Sequence, residues 1–232
     1  MPRNETPLLA VLVDADNSSP RWAEAIFDEI SSLGEASVRR IYGDFSRGQM
    51  SGWNEKMPSM ALVPHHQPAN TIGKNSSDIA LVIDAMDLLH TGRFDGFVLV
   101  SSDSDFTRLA SRIREQGLDV YGIGERKTPD AFRKACKRFI FIENLVDQAE
   151  PESAVKHDPP SKAIPMINNA MQAIDPEQEW FHLGSLGQTI LANHPDFDSR
   201  TYGSAKLSDL INRAGHYETR RTGNVVEVRR KG

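Results

Sequence analysis

Strand-length apolar runs alternate with helix-length amphipathic stretches through the first 148 residues, and that rhythm constrains the fold more than any other feature of the chain. It predicts strands at Leu8–Val13, Val38–Tyr42, Ala61–Pro64, Gly96–Ser101, Asp119–Ile123 and Arg138–Ile142. Between them it predicts helices at Arg21–Leu33, Asp78–Leu89, Asp105–Gln116 and Pro129–Lys137. Strands joined through helices of this length form a parallel sheet covered on both faces. Residues 1–148 are therefore expected to be an α/β domain with a three-layer parallel sheet. The rhythm stops at QAEPESAVKHDPPSKAIP, which holds four prolines and no apolar run, so 149–165 reads as a linker and 166–232 as a second domain.

Hydrophobic residues at 39% and charged residues at 25% are ordinary globular usage, which argues against both disorder and a membrane protein. Runs such as Leu8–Val13 and Phe97–Val100 are strand-length, far short of a bilayer span. The polar start, Met1 to Thr6, has no apolar export region, so the expected location is the cytoplasm. Cys136 is the single cysteine, which excludes an internal disulfide and a cysteine-based zinc site and leaves packing as its expected role.

The net charge of −5 argues at first against a polyanionic partner. Its distribution changes that view: residues 1–161 carry 18 Lys+Arg against 24 Asp+Glu, whereas residues 162–232 carry nine against eight. Several acids of the first part stand in motifs, and carboxylates that hold divalent cations do not repel phosphate as free ones do. In parallel α/β sheets the functional crevice lies beyond the carboxyl ends of the strands, where the strand order reverses. Asp14 ends the first strand, with Asp16 and Asn17 just behind it. Ser101, Ser102, Asp103, Ser104 and Asp105 follow the strand GFVLV, and Asp105 is placed to cap the next helix. The helix opening at Asp78 starts at the same edge.

Three segments thus bring carboxylates to one rim, and hard cations such as Mg²⁺ or Mn²⁺ prefer oxygen ligands of this kind. Each acid alone also suits ordinary turn and cap chemistry; the set points to a site. Asp44 after the second strand is either a site residue or a turn former. Asp84 and Asp87 are expected to be solvated helix positions, and His65 and His66 to lie in a loop, with substrate contact one role open to them. Lys74, Arg108, Arg126 and Lys127 are candidates to draw in a phosphate backbone, Lys74 first because it precedes Asp78 on one loop.

The motifs VDADN, NSSDIALVIDAM and VLVSSDSDF followed by ASRIREQGLDVYGIG resemble those of the NYN domain, a PIN-like ribonuclease superfamily, over about residues 7 to 147. That resemblance implies a PIN-like Rossmannoid fold and metal-dependent hydrolysis of RNA, with Asp14, Asp78 and Asp103 as metal-binding acids, Asp105 as a fourth, and Asn17 steadying the site. Ala15-Asp16 departs from the commoner D-G-x-N wording and adds a carboxylate. Ser102 would hydrogen-bond an acid or a phosphate oxygen. A homodimer is expected only by analogy with PIN-like domains.

The C-terminal part reads as helices followed by a hairpin, with helices at Leu183–Ala192 and Ala205–Ala214 and strands at Tyr217–Arg221 and Val225–Arg229 joined by TGN. L-G-x-x-L, P-D-F-D-x-R-x-Y-G and K-L-x-D-L-I resemble the LOTUS or OST-HTH winged-helix domain, which implies binding of RNA or of a protein partner. Arg220, Arg221, Arg229, Arg230 and Lys231 would give the wing a basic edge, with Arg220 and Arg221 the candidate RNA contacts. Two rivals stand beside the ribonuclease reading. The D-x-D of VDADNS is shared with haloacid-dehalogenase-like phosphatases, but the lysine those enzymes need before their last acidic pair has no clear counterpart, and the C-terminal motifs would go unexplained. The other rival is a non-catalytic RNA-binding or scaffolding regulator with a degenerate acidic pocket.

Overall fold

A computed structural model describes residues 6–46, 50–66, 76–146, 157–223 and 225–231. The chain divides into two compact units between Pro151 and Glu152. The first runs β1 (Leu8–Asp14), α1 (Ala23–Leu33), β2 (Glu35–Gly43), α2 (Ser51–Ser59), β3 (Val63–His66), α3 (Ser76–His90), β4 (Gly96–Val100), α4 (Thr107–Glu115), β5 (Asp119–Gly124), α5 (Asp130–Ala135), β6 (Arg138–Phe141) and α6 (Glu143–Val146). Among the described residues its strands form one six-stranded sheet, order β3-β2-β1-β4-β5-β6, parallel at every pairing. The expected α/β architecture is present.

β1 is central, and successive side chains on a strand point to opposite faces. Ala10 and Leu12 pack with Leu81 and Ala85 of α3 and with Leu109 and Ile113 of α4. Leu9, Val11 and Val13 pack on the other face with Ile26 and Ile30 of α1 and Trp53 of α2. Leu9, Val11 and Leu12 have no exposed surface, and each such side chain contributes about 1.5–3 kcal/mol, so the central strand anchors both layers. From β1 the chain adds β2 and β3 on one flank, then returns through α3 to β4 on the other. The strand order therefore reverses between β1 and β4, and the crevice opens beyond their carboxyl ends.

Several elements differ from the expectation. α2 was not foreseen, because SGWNEKMPS has no apolar stripe and Pro58 lies inside the helix; Trp53, 1% exposed, anchors it through tertiary packing. β3 begins at Val63, not Ala61, since Ala61 sits in the left-handed region at φ 51° and makes the turn. His65 and His66 are consequently strand residues, not loop residues. β2 starts at Glu35, where the Glu35 N–H donates to the Pro7 carbonyl at 2.8 Å, three residues before the expected Val38.

The second unit has a short 3-10 turn at Pro160–Ala163, α7 (Ile164–Ile174), β7 (Phe181–His182), α8 (Leu183–Asn193), a 3-10 turn at Ser199–Tyr202, α9 (Leu207–Ala214), β8 (Tyr217–Thr222) and β9 (Val225–Arg230). β9 lies between β7 and β8, antiparallel to both. Ala163, Ile167, Leu186, Ile190, Leu210 and Val228 form its core. This is the expected winged helix. Its core reaches into the stretch expected as linker, because Ala163 is fully buried in it. Pro160 and Pro165 occupy first-turn positions, where a missing N–H costs nothing, so here they start helices. Among the described residues no helix is long and apolar enough to cross a membrane.

Candidate active site

β1 delivers Asp14 to the rim at 1% exposure. Its Oδ1 accepts the backbone N–H groups of Asp16 (3.1 Å) and Asn17 (3.2 Å), which folds the following loop back over the strand end. Its Oδ2 accepts the Ser101 hydroxyl at 2.7 Å. Burial pushes the Asp14 carboxyl above its ordinary value, opposed by the hydrogen bonds from Ser101 and Asn17. Ser101 stands at the carboxyl end of β4, 2% exposed, and its Oγ also accepts the Asp103 N–H at 3.0 Å. One hydroxyl thereby ties the β1 acid to the segment that carries the β4 acid.

Asp103 accepts the Asp105 N–H at 2.9 Å and caps the 3-10 turn Ser104–Phe106, so the capping role expected of Asp105 belongs to Asp103. That turn also separates the expected helix start from α4. Asp78 sits in the first turn of α3. Its carboxyl is pushed up to about 6, first by burial and then by the negative charges of Asp14, Asp103, Asp16 and Asp105. The five acids share one electrostatic neighbourhood. Ser77, beside Asp78, donates to Asp16 Oδ2 at 2.9 Å and so ties the β1 loop to the start of α3.

An open cleft of about 490 Å³ adjoins this cluster, lined by Asp16, Asn17, Ser102, Asp103, Glu125 and Lys127 among others. Ser102 faces it with its Oγ accepting the Glu125 N–H at 2.9 Å. Lys127 pairs with Glu125 at 2.9 Å, whereas the Arg126 N–H is held by Glu143 at 2.9 Å. Arg108 is exposed on α4. Lys74 lies outside the described residues. Asp44 is 8% exposed and accepts from the Ser46 N–H at 3.2 Å, the turn-forming role.

Asp84 is not a solvated helix position: it accepts from the Tyr42 hydroxyl and pairs with Arg40 beneath α3. Its partners come from β2, 44 and 42 positions away, out of reach of any local pattern. Sequence reasoning placed Ser101 at the rim but missed its bridging role, which needs β1 and β4 side by side. Trp53 was missed altogether; its Nε1 donates to the Ser18 carbonyl at 3.1 Å and braces the β1 loop.

The donor set at the rim is wholly oxygen, which suits Mg²⁺ or Mn²⁺ better than softer ions. Among the described residues no three of His, Cys, Asp or Glu are grouped closely enough to hold an ion between them. A magnesium-type ion keeps several of its waters and needs only one or two direct carboxylates, so the open cluster fits such an ion.

On the winged helix, two cations of the basic edge, Arg220 and Arg229, are paired with acids. Arg220 pairs with Glu227 at 2.7 Å and lies 4.0 Å over the Trp180 ring. Arg229 pairs with Glu218 and Glu179 and lies 4.7 Å from the same ring. Arg221 is exposed on β8.

Residues 8–143 match the NYN domain family, and residues 155–228 match the OST-HTH/LOTUS domain. No curated protein matches the chain. A crystal structure of a protein of unknown function from Vibrio parahaemolyticus is similar in fold, at a TM-score of 0.51 and 19% identity, covering 60% of this chain and 94% of that one.

Proposed function

The chain belongs to the NYN domain family and carries a C-terminal OST-HTH/LOTUS domain, and from that premise we propose that it is a divalent-metal-dependent ribonuclease hydrolysing RNA phosphodiester bonds. The observation that carries the reading is the gathering of Asp14, Asp78 and Asp103, with Asp16 and Asp105, at one rim, where burial and then the neighbouring negative charges push the Asp78 carboxyl up to about 6. Five acids in one neighbourhood are costly without a cation and useful with one.

In this reading Asp14 and Asp103 would hold Mg²⁺ or Mn²⁺, Asp78 and Asp105 would contribute further carboxylates to the site, and Asn17 would keep Asp14 in place. The ion, when bound, activates water and offsets charge on the attacked and leaving oxygens. Ser101 holds Asp14 and the Asp103 backbone in mutual register. Ser102, whose Oγ accepts the Glu125 N–H, keeps its hydroxyl proton to donate to a phosphate oxygen. Lys127 and Lys74 supply positive charge to an incoming backbone. The winged helix retains the RNA, with Arg221 as its phosphate contact and Arg220 contributing only where phosphate displaces Glu227.

The test is incubation of the full chain with labelled single-stranded RNA and Mn²⁺ or Mg²⁺, alongside Asp14→Asn and an EDTA control. Cleavage by the wild type that both controls abolish is the expected result. The absence of a closely grouped acid triad among the described residues favours a second reading, a non-catalytic RNA-binding regulator. Intact RNA across several substrates, with binding retained, would establish that reading instead.

A further inference from the structure

The carboxyl rim of the sheet does not end at the acidic cluster. Asp14 pairs with Tyr42 of β2, and the next residue, Gly43, pairs with His66 of β3. Strands lie about 4.8 Å apart, so the His66 backbone stands roughly 10 Å from that of Asp14, two strand spacings along the same rim. Phe45 follows β2, and its ring packs against His66 with centroids 6.4 Å apart at 40°. Alternation along β3 sends His65 the other way, against Tyr42 beneath α3. Phe45 is half-buried and His66 exposed, so two aromatic faces stand together beside an otherwise polar site.

The Phe45 N–H donates to His66 Nδ1 at 3.3 Å. In the neutral ring that bond leaves the proton on Nε2, which makes the exposed edge of His66 a hydrogen-bond donor. A packing role explains the Phe45 contact with the core. It does not explain an exposed imidazole held in one tautomer at the rim.

We propose that Phe45 and His66 form a base-stacking subsite for a nucleobase of single-stranded RNA flanking the scissile phosphate, with His66 Nε2–H donating to the base edge or the adjoining phosphate. The assignment rests on the ribonuclease reading above and specifies which part of the rim the single strand follows. Aromatic side chains bind unpaired bases through their π-faces and tolerate any sequence. A duplex, whose bases are stacked internally, has no free face to offer here.

The test uses the full chain with single-stranded RNA containing 4-thiouridine, irradiated in the cleavage-blocked Asp14→Asn background, with the crosslinked peptides mapped by mass spectrometry. A crosslink on the segment bearing Phe45 or His66 is expected. Steady-state cleavage by otherwise wild-type protein should then show KM raised about tenfold in His66→Ala and in Phe45→Ala, with kcat held and near recovery in Phe45→Trp. His66 is exposed, so its variant should melt with the wild type and keeps the test informative if Phe45→Ala unfolds. Cleavage that proceeds with no crosslink at either residue and an unchanged KM in His66→Ala would overturn the subsite. Crosslinking at these residues with no cleavage by any protein would retain the subsite and overturn the nuclease reading.

Discussion

Replacing Asp78 by Asn should make the metal-free protein more stable while destroying its proposed activity. Asp78 is held at about 6 instead of the ordinary 3.8 by burial and by four neighbouring carboxylates. At about 1.4 kcal/mol per pH unit, that gap is on the order of 3 kcal/mol against the charged form at neutral pH. Asp78 keeps part of its surface in solvent, so screening reduces the recoverable share to roughly 1 kcal/mol. The folded pKa is raised, so the folded state binds a proton before the unfolded chain does. Wild-type stability therefore rises as pH falls from about 6 toward about 4, and Asp78→Asn loses that rise. Thermal melts in EDTA at pH 7.5 should place the variant about 3 °C above the wild type, with the difference closing by pH 4. Saturating Mn²⁺ should reverse the order, because an ion that binds only the folded state stabilises the protein that binds it better. A variant that melts below the wild type in EDTA at pH 7.5, with an unchanged pH profile, would refute the reasoning.

Asp84→Ala should destabilise the first unit by about 2–3 kcal/mol, since it leaves Arg40 and the Tyr42 hydroxyl without their shared acceptor; urea unfolding measures it. Burial pushes the Cys136 thiol up to about 12. Native protein should therefore resist iodoacetamide at pH 8.5 and label fully only in denaturant. The same group lowers folding stability as pH rises from about 9 toward 12, because the unfolded thiol ionises first. Arg221→Ala should reduce the salt dependence of RNA binding by about one phosphate equivalent, measured by anisotropy across a salt series. Arg220→Ala should change it much less, because Glu227 already neutralises that guanidinium.

The alternation of elements and the positions of the rim acids were legible because both are local. A run of apolar residues ending in Asp14 is a strand with a carboxylate at its carboxyl end whatever surrounds it, and parallel connection sends Asp103 and the start of α3 to that same edge. The winged helix was legible for the same reason, through the amphipathic stretches of α8 and α9 and the turn before β9. Asp84 read as solvated because its acidic partner-seeking chemistry is invisible until β2 is laid under α3. Arg220 read as a free cation because Glu227 stands opposite it only once the hairpin registers. α2 has no amphipathic signature and folds because Trp53 finds a site under the β1 loop.

Composition and periodicity thus determined the two folds and which acids reach the rim, since those depend on residue types within a few positions of one another. Which charges remain free, which hydroxyl bridges Asp14 to Asp103, and which aromatic ring adjoins the site were decided only by tertiary structure. Each of those depends on pairs separated by many residues, and burial and electrostatic energy exist only after the chain has brought the pair together.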